Sequence, residues 1–260
     1  MAPTNDGAAS ESGVVPLAID GPVYACGDLH GRDDLMLEFL AWVDADAGHG
    51  PATVVFLGDF VDRGFGGRRV VERLMCGPSR KDHRWVPLKG NHDALFASAW
   101  RNPGGRDAVA WVANGGVATL ASYGVAPGEP FRDRVPEAHV EFLEKLPLAA
   151  DDGERLYVHA GVRPGVPMAL QSPFDLTWIR DEFLASDHGF DRIVVHGHTI
   201  SRHGPDVRPW RVGLDMGAYA TGRLCCARFL PGVAEPLFHV AETRSAPVRD
   251  RAPAAVAWTR

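Results

Sequence analysis

Chemistry in this sequence concentrates in short polar clusters that each follow a brief apolar run. Residues 23–26 run into GDLHG, 53–57 into GDFVDRG, 85–88 into KGNHD, 156–158 into HAG and 193–195 into HGHT. The metal-ligating side-chain types at those five places are Asp28, His30, Asp59, Asn91, His159 and His198. Asp28 and His30 stand two residues apart, so in an extended segment both side chains project to the same side. Three imidazoles with carboxylate and amide oxygens suit borderline first-row ions such as manganese, iron or zinc, not an all-oxygen calcium site. One ion needs fewer ligands than these. Two ions about 3.5–4 Å apart and bridged by one carboxylate would use them all, and Asp59, at the head of the second cluster, is assigned as the bridge. Such a pair polarises a phosphoryl oxygen and turns a shared water into hydroxide near neutral pH, which points to phosphate-ester hydrolysis. A single Asp or His at a strand end is normally a turn former, so the joint pattern carries the reading.

The elements that must position these groups follow from periodicity. Short continuous apolar runs read as strands buried on both faces. Leu35, Leu37, Phe39, Leu40 and Val43 predict a helix after the first cluster, with Asp33 or Asp34 near its start. Val70, Val71, Leu74 and Met75 predict another after the second. Residues 94–100, 140–146 and 176–184 are further helix candidates. Residues 211–215, 224–230 and 237–241 read as strands joined by turns without helices, so the sheet should be mixed. Strands alternating with helices predict an α/β layered fold, in which loops at the C-terminal strand ends converge on the chemistry.

In this order and spacing, GDLHG (27–31), GDFVDRG (58–64), GNHD (90–93), VHAG (158–161) and HGHT (196–199) resemble the motifs of the calcineurin-like metallophosphoesterases. More narrowly they resemble the phosphoprotein-phosphatase branch, which includes bacterial serine/threonine phosphatases and diadenosine tetraphosphatases. The resemblance spans residues 23–230 and implies a layered α-β-β-α sandwich of two mixed sheets. It places a first metal on Asp28, His30 and Asp59, and a second on Asp59, Asn91, His159 and His198. The wider superfamily has a GHxH motif; here Ile200 follows Thr199, which leaves the first metal three protein ligands and water. The resemblance also makes His92 the general acid and Asp62 its orienting partner. An imidazolium can give a proton to a leaving alkoxide near pH 7, and a carboxylate keeps it charged and aimed. Arg63 would clamp phosphate oxygens bidentately, and Arg180, in LTWIRDEF, looks like the family's second phosphate-binding arginine. Departures from the family pattern are Phe65 where Pro is frequent, Asp93 where many eukaryotic relatives have Glu, and Met216 in LDMGA. None touches an assigned ligand; they bear on substrate identity.

The implied activity is hydrolysis of phosphate monoesters by direct attack of a metal-bridging hydroxide, with serine/threonine phosphoproteins as the first substrate class. The cofactors would be two divalent ions, manganese first, iron or zinc as alternatives. A symmetrical dinucleoside tetraphosphate hydrolase is an alternative in which Arg68 and Arg69 meet extra phosphates. A small-molecule phosphatase of a biosynthetic pathway is another, and a non-catalytic metal-binding scaffold is the reading from a different class.

Composition sets the outer bounds. The chain has 260 residues, 45% hydrophobic and 23% charged, which fits a soluble globular domain and excludes a largely disordered chain. A net charge of −6 argues against nucleic-acid partners. No apolar run approaches the ~20 residues of a membrane span. The N-terminus lacks a basic start and an apolar stretch, so no secretory signal is expected. Four cysteines, two of them adjacent, favour a reduced, cytoplasmic setting. Expected organisation is a flexible N-terminal arm (1–16), a metallophosphoesterase domain (17–242) and a flexible or surface-wrapped tail (243–260). His196 reads as a satisfied strand histidine, Cys26 as a small buried residue, and Arg68 and Arg69 as a solvated helix start. His49, His83, His139, His188, His203 and His239 are expected at the surface. Trp111 and Trp178 are candidates for the pocket mouth.

Overall fold

The computed structural model describes residues 13–17, 21–126, 128–185, 187 and 189–243; residues 1–12 of the expected arm, 244–260 of the expected tail, and His188 lie outside them. The described chain runs β1 (Val14–Pro16), β2 (Val23–Cys26), α1 (Asp33–Ala47), β3 (Ala52–Phe56), α2 (Gly67–Cys76), β4 (His83–Pro87) and α3 (Asn91–Arg101). It continues through α4 (Arg106–Trp111), α5 (Val117–Ser122), α6 (Glu137–Glu144), β5 (Ala149–Asp151), β6 (Arg155–Val158), α7 (Pro173–Trp178), α8 (Asp181–Leu184) and β7 (Ile193–His196). It closes with β8 (Asp206–Arg208), β9 (Arg211–Gly213), α9 (Ala218–Thr221), β10 (Arg223–Phe229) and β11 (Leu237–Glu242).

The strands form two mixed sheets, one ordered β11-β10-β2-β3-β4 and the other β1-β5-β6-β7-β9-β8. In the first, β2, β3 and β4 are parallel while β10 runs antiparallel to β2. In the second, β6, β7 and β9 are parallel. Period-two alternation explains the apolar runs. Val23 and Ala25 of β2, with Val55 of β3, enter the core shared with Tyr157 of β6 and Val195 of β7. The intervening Tyr24, Cys26, Val54 and Phe56 face the other way, against Leu35, Phe39, Val70 and Phe96 of the helices. Leu156, Val158 and Val194 form a third core with Leu176 and Phe183 of α7 and α8. Three apolar layers around two sheets are the α-β-β-α sandwich. Each fully buried Leu, Val or Phe stabilises it by about 1.5–3 kcal/mol before conformational entropy is charged. Among the described residues no helix is long and apolar enough to cross a membrane.

The structure departs from expectation in identifiable places. Val14–Pro16, expected within a loose arm, pairs in parallel with β5, and Val15 and Leu17 enter the core between the sheets. Three residues closed by a proline are too few for alternation to be visible. The helix expected over 176–184 is broken where Ile179 (ψ 143°) and Arg180 (φ −134°) leave helical geometry. His83 and His139, expected at the surface, are buried; Tyr123 Oη and His139 Nδ1 share a hydrogen bond of 2.9 Å. His239 is half-buried, stacked on Trp42 with ring centroids 4.7 Å apart. His49 and His203 are exposed.

Candidate metal centre

Five strands deliver the candidate side chains to one edge of the sandwich. β2 leads to Asp28 and His30, β3 to Asp59, Asp62 and Arg63, β4 to Asn91 and His92 at the start of α3, β6 to His159, and β7 to His198. Asp28, His30, Asp59, Asp62, Asn91, His92, His159 and His198 are all buried. The turns are sharp: among the described residues, those other than glycine with positive φ are His30, Asp59, Asp62, Arg63 and His198. Every one is a predicted site residue, and backbone strain of this kind gathers where surrounding structure holds functional groups in place. Gly58 (φ 102°) and Gly90 allow the second and third loops to meet, since a Cβ on Gly90 would collide with the Asp59 carboxylate. Asp93 then clips the loops together, accepting from the backbone N–H of Asp59, Phe60 and Gly90, each at 2.9 Å.

Asp59 sits at the centre. Its Oδ2 lies 3.4 Å from His30 Nε2 and its Oδ1 3.5 Å from His159 Nε2. Two groups can each converge on a single ion: His30 with Asp59 and His92, and Asp59 with His159 and His198. Asn91 Oδ1 joins the second, 3.0 Å from His159 Nε2. Asp28 stands beside both, with Oδ2 4.0 Å from His30 Nε2 and Oδ1 accepting from His198 N at 3.0 Å.

Hydrogen bonds fix the imidazoles. His30 Nδ1 donates to Val61 O (2.9 Å) and His159 Nδ1 to Leu57 O (2.7 Å), so each turns the Nε2 lone pair toward the centre. Burial holds both rings below the ordinary imidazole value, His30 at about 3. His198 Nε2 is buried with no hydrogen-bond partner. Burial pushes Asp28 well up, reinforced by the carboxylates of Asp215 and Asp59, and raises Asp215 to about 6. Burial also acts to raise Asp59, but the imidazoles of His159, His92, His30 and His198 outweigh it and lower Asp59. Lone pairs of neutral imidazoles, an amide oxygen and carboxylates crowded enough to raise Asp28 and Asp215 are a donor set that fits divalent cations.

Beside this set, His92 Nδ1 donates to Asp62 Oδ2 at 2.7 Å. Asp62 Oδ1 accepts from Trp111 Nε1 at 2.7 Å and from Thr119 Oγ1 at 2.6 Å. Trp111, a candidate for the pocket mouth, is therefore a buried support for Asp62. Arg63 spans His30 Nε2 and His92 Nε2, each at 2.9 Å, with its guanidinium 4.7 Å over the Tyr219 ring. Arg180 is exposed and donates to His198 O at 3.1 Å. Trp178 presents its ring edge-on to His198 at 6.2 Å. Arg68 and Arg69 do not join; they pair with Glu72 and Asp33. His196 stays on β7, its Nδ1 3.0 Å from Gly197 O. Asp215, Thr119 and Tyr219 escaped the sequence reading, and Trp111 was in it only as a pocket-mouth candidate. Only the LDMGA resemblance pointed near Asp215; the others sit in helices with no polar strand-end signal.

Comparison with known proteins agrees with this fold. The calcineurin-like phosphoesterase family model matches residues 21–229. A serine/threonine-protein phosphatase of Caenorhabditis elegans is 27% identical over 209 residues, 80% of this chain and 40% of that protein. The catalytic subunit of serine/threonine-protein phosphatase 4 of Saccharomyces cerevisiae is 36% identical over 75 residues, 29% of this chain and 23% of its own. This chain thus spans less than half the length of these curated relatives. Among solved structures, a candidate diadenosine tetraphosphatase superposes with a TM-score of 0.60 at 24% identity, covering 88% of this chain and 97% of that one. A serine/threonine phosphatase from Saccharomyces cerevisiae gives 0.60 at 16% identity, covering 91% and 85%. A family match over most of the chain and a shared fold coincide: the chain belongs to the calcineurin-like phosphoesterases.

Proposed function

We propose that this chain hydrolyses phosphate monoesters with two divalent metal ions, and that its substrates are phosphoserine and phosphothreonine in proteins. The position of Asp59 carries the reading: its two carboxylate oxygens face separate imidazole groups, and it alone belongs to both ion-competent clusters. Asp28, His30 and Asp59 would hold the first ion, and Asp59, Asn91, His159 and His198 the second; manganese, iron or zinc fits these donors. When bound, the ions supply polarisation of the phosphoryl group and activation of the attacking water.

The chain's own residues do the rest. Arg63 and Arg180 bind the non-bridging phosphoryl oxygens and offset the charge that grows on them. His92 gives a proton from Nε2 to the leaving oxygen, and Asp62 holds the ring by Nδ1 so that Nε2 faces inward. Attack is direct, with no phosphorylated side chain. Arg68 and Arg69 pair with Glu72 and Asp33 instead of turning toward the metal centre, which gives the dinucleoside tetraphosphate reading no support. Four free cysteines, three of them buried, suit a reducing cytoplasmic compartment.

Rates on a phosphopeptide, diadenosine tetraphosphate and sugar phosphates, measured after metal depletion and manganese add-back, test the proposal. Activity should vanish with the metal, return with it, and be fastest on the phosphopeptide. Activity indifferent to depletion overturns the two-metal reading, and a faster rate on diadenosine tetraphosphate overturns the substrate class.

A further inference from the structure

Away from the metal centre, a cavity of about 650 Å³ opens between α1, α2, β4 and the turn at residues 77–80. Its volume lies within the range of small-molecule pockets. One wall is apolar: Leu37 is 45% exposed, and Leu40 and the Trp85 indole are half-buried beside it. Arg73 of α2 faces this space, and among the described residues its guanidinium has neither an ion pair nor a hydrogen bond, with Nε buried and unpartnered. Its neighbours differ: Arg68 pairs with Glu72, Arg69 with Asp33, and Arg80 with Asp82. His83, also facing the cavity, is 8% exposed, and its Nε2 has no partner; Nδ1 lies 3.6 Å from Asp44 Oδ1. A half-buried cation left unpaired in a chain of net charge −6 is the exception that calls for an anion.

We propose that this cavity binds a small amphipathic anion, with a carboxylate or phosphate-type head on Arg73 and an alkyl or aryl body against Leu37, Leu40 and Trp85. The polar head satisfies the free guanidinium, and the body covers apolar surface that water now touches. Neither half alone should suffice. An alcohol with the same body leaves Arg73 unpaired, and inorganic phosphate leaves the apolar wall wet.

The test is calorimetric titration of the metal-loaded chain with octanoate, octylphosphonate, octanol and inorganic phosphate. One or both octyl anions should bind saturably at one site that persists in Asp59→Asn, and the tighter of the two there identifies the head. Octanol and phosphate should bind the site that persists in Asp59→Asn at least tenfold more weakly; phosphate taken up by the metal centre is lost in that variant and is subtracted. Arg73→Gln and Leu37→Asp, both at solvent-accessible positions and checked for native circular dichroism, should each weaken the octyl anion at least tenfold. Asp59→Asn should leave its affinity unchanged, because the metal centre takes no part. Absence of saturable binding, octanol matching octanoate, wild-type affinity in Arg73→Gln, or loss of binding in Asp59→Asn would each overturn the proposal.

Discussion

Replacing Asp62 with asparagine isolates what its charge does for His92. Asp62 Oδ1 accepts from Trp111 Nε1 and Thr119 Oγ1, while Oδ2 accepts from His92 Nδ1 at 2.7 Å. The indole N–H can only donate, so the amide introduced by Asp62→Asn must keep its carbonyl oxygen toward Trp111 and turn its NH2 toward His92. His92 Nδ1 then has to accept, which excludes the imidazolium. In the native site burial works to lower His92, but the Asp59 and Asp62 carboxylates outweigh it and the ring is held above the ordinary imidazole value. For a raised imidazole, the protonated form is present at low pH and lost as pH rises through the folded value. A hydrogen bond to a charged group is worth about 1.5–3 kcal/mol. At about 1.36 kcal/mol per pKa unit, its loss drops His92 by roughly one to two units. The alkaline limb of kcat/KM on a phosphoserine peptide should move down by that amount, with about 10–100-fold less activity above it. On p-nitrophenyl phosphate, whose leaving group needs no proton, the loss should stay under about threefold, and metal content should hold at the native level. An unmoved alkaline limb, or equal losses on both substrates, would refute the assignment of His92 as acid and Asp62 as its partner.

Asp59→Asn should lower bound metal, read by elemental analysis, and reduce turnover by more than the ~100-fold typical of changes outside the ligand set. Gly90→Ala should lower thermal stability by about 1–3 kcal/mol, because its Cβ meets the Asp59 carboxylate and backbone; calorimetric unfolding checks it. His139 is held below the ordinary imidazole value by burial, so the neutral ring belongs to the folded state. Its contribution is complete above about pH 6.5 and is lost as pH falls. His139→Gln should therefore show a smaller drop in Tm between pH 7.5 and 5.5 than the parent, and an equal drop would contradict this.

The parallel strands were legible because both their faces are buried, which writes them as unbroken apolar runs such as residues 53–57. The helices after them were legible through a one-sided apolar face, as in Leu35, Phe39 and Val43 of α1. β1, β5 and β8 were not, since three residues cannot display a period of two. The stretch from α4 to α5 was also hidden. A π turn and Gly115 at φ 106° interrupt the helical period there, and Arg63 N donates to Gly115 O across the bend. That interruption brings Trp111 and Thr119 to Asp62, so the support of the acid pair was the part of the site that periodicity concealed.

The ligating side chains were legible for a different reason. His30, Asp59, Asp62, Arg63 and His198 all hold left-handed backbone, at about 1–3 kcal/mol each. Local preference would put glycine at such positions; aspartate and histidine tolerate them passably, arginine poorly. Polar residues kept where glycine would relieve strain must be there for their side chains. The glycines that the motifs do retain, such as Gly58 and Gly90, stand where one loop touches the next. The motif is therefore a division of labour along the chain: glycine where two backbones meet, a ligating or charged group where the turn points at the centre. Two sheets packed over three apolar cores supply the stability that keeps the three loops carrying these residues bent at once.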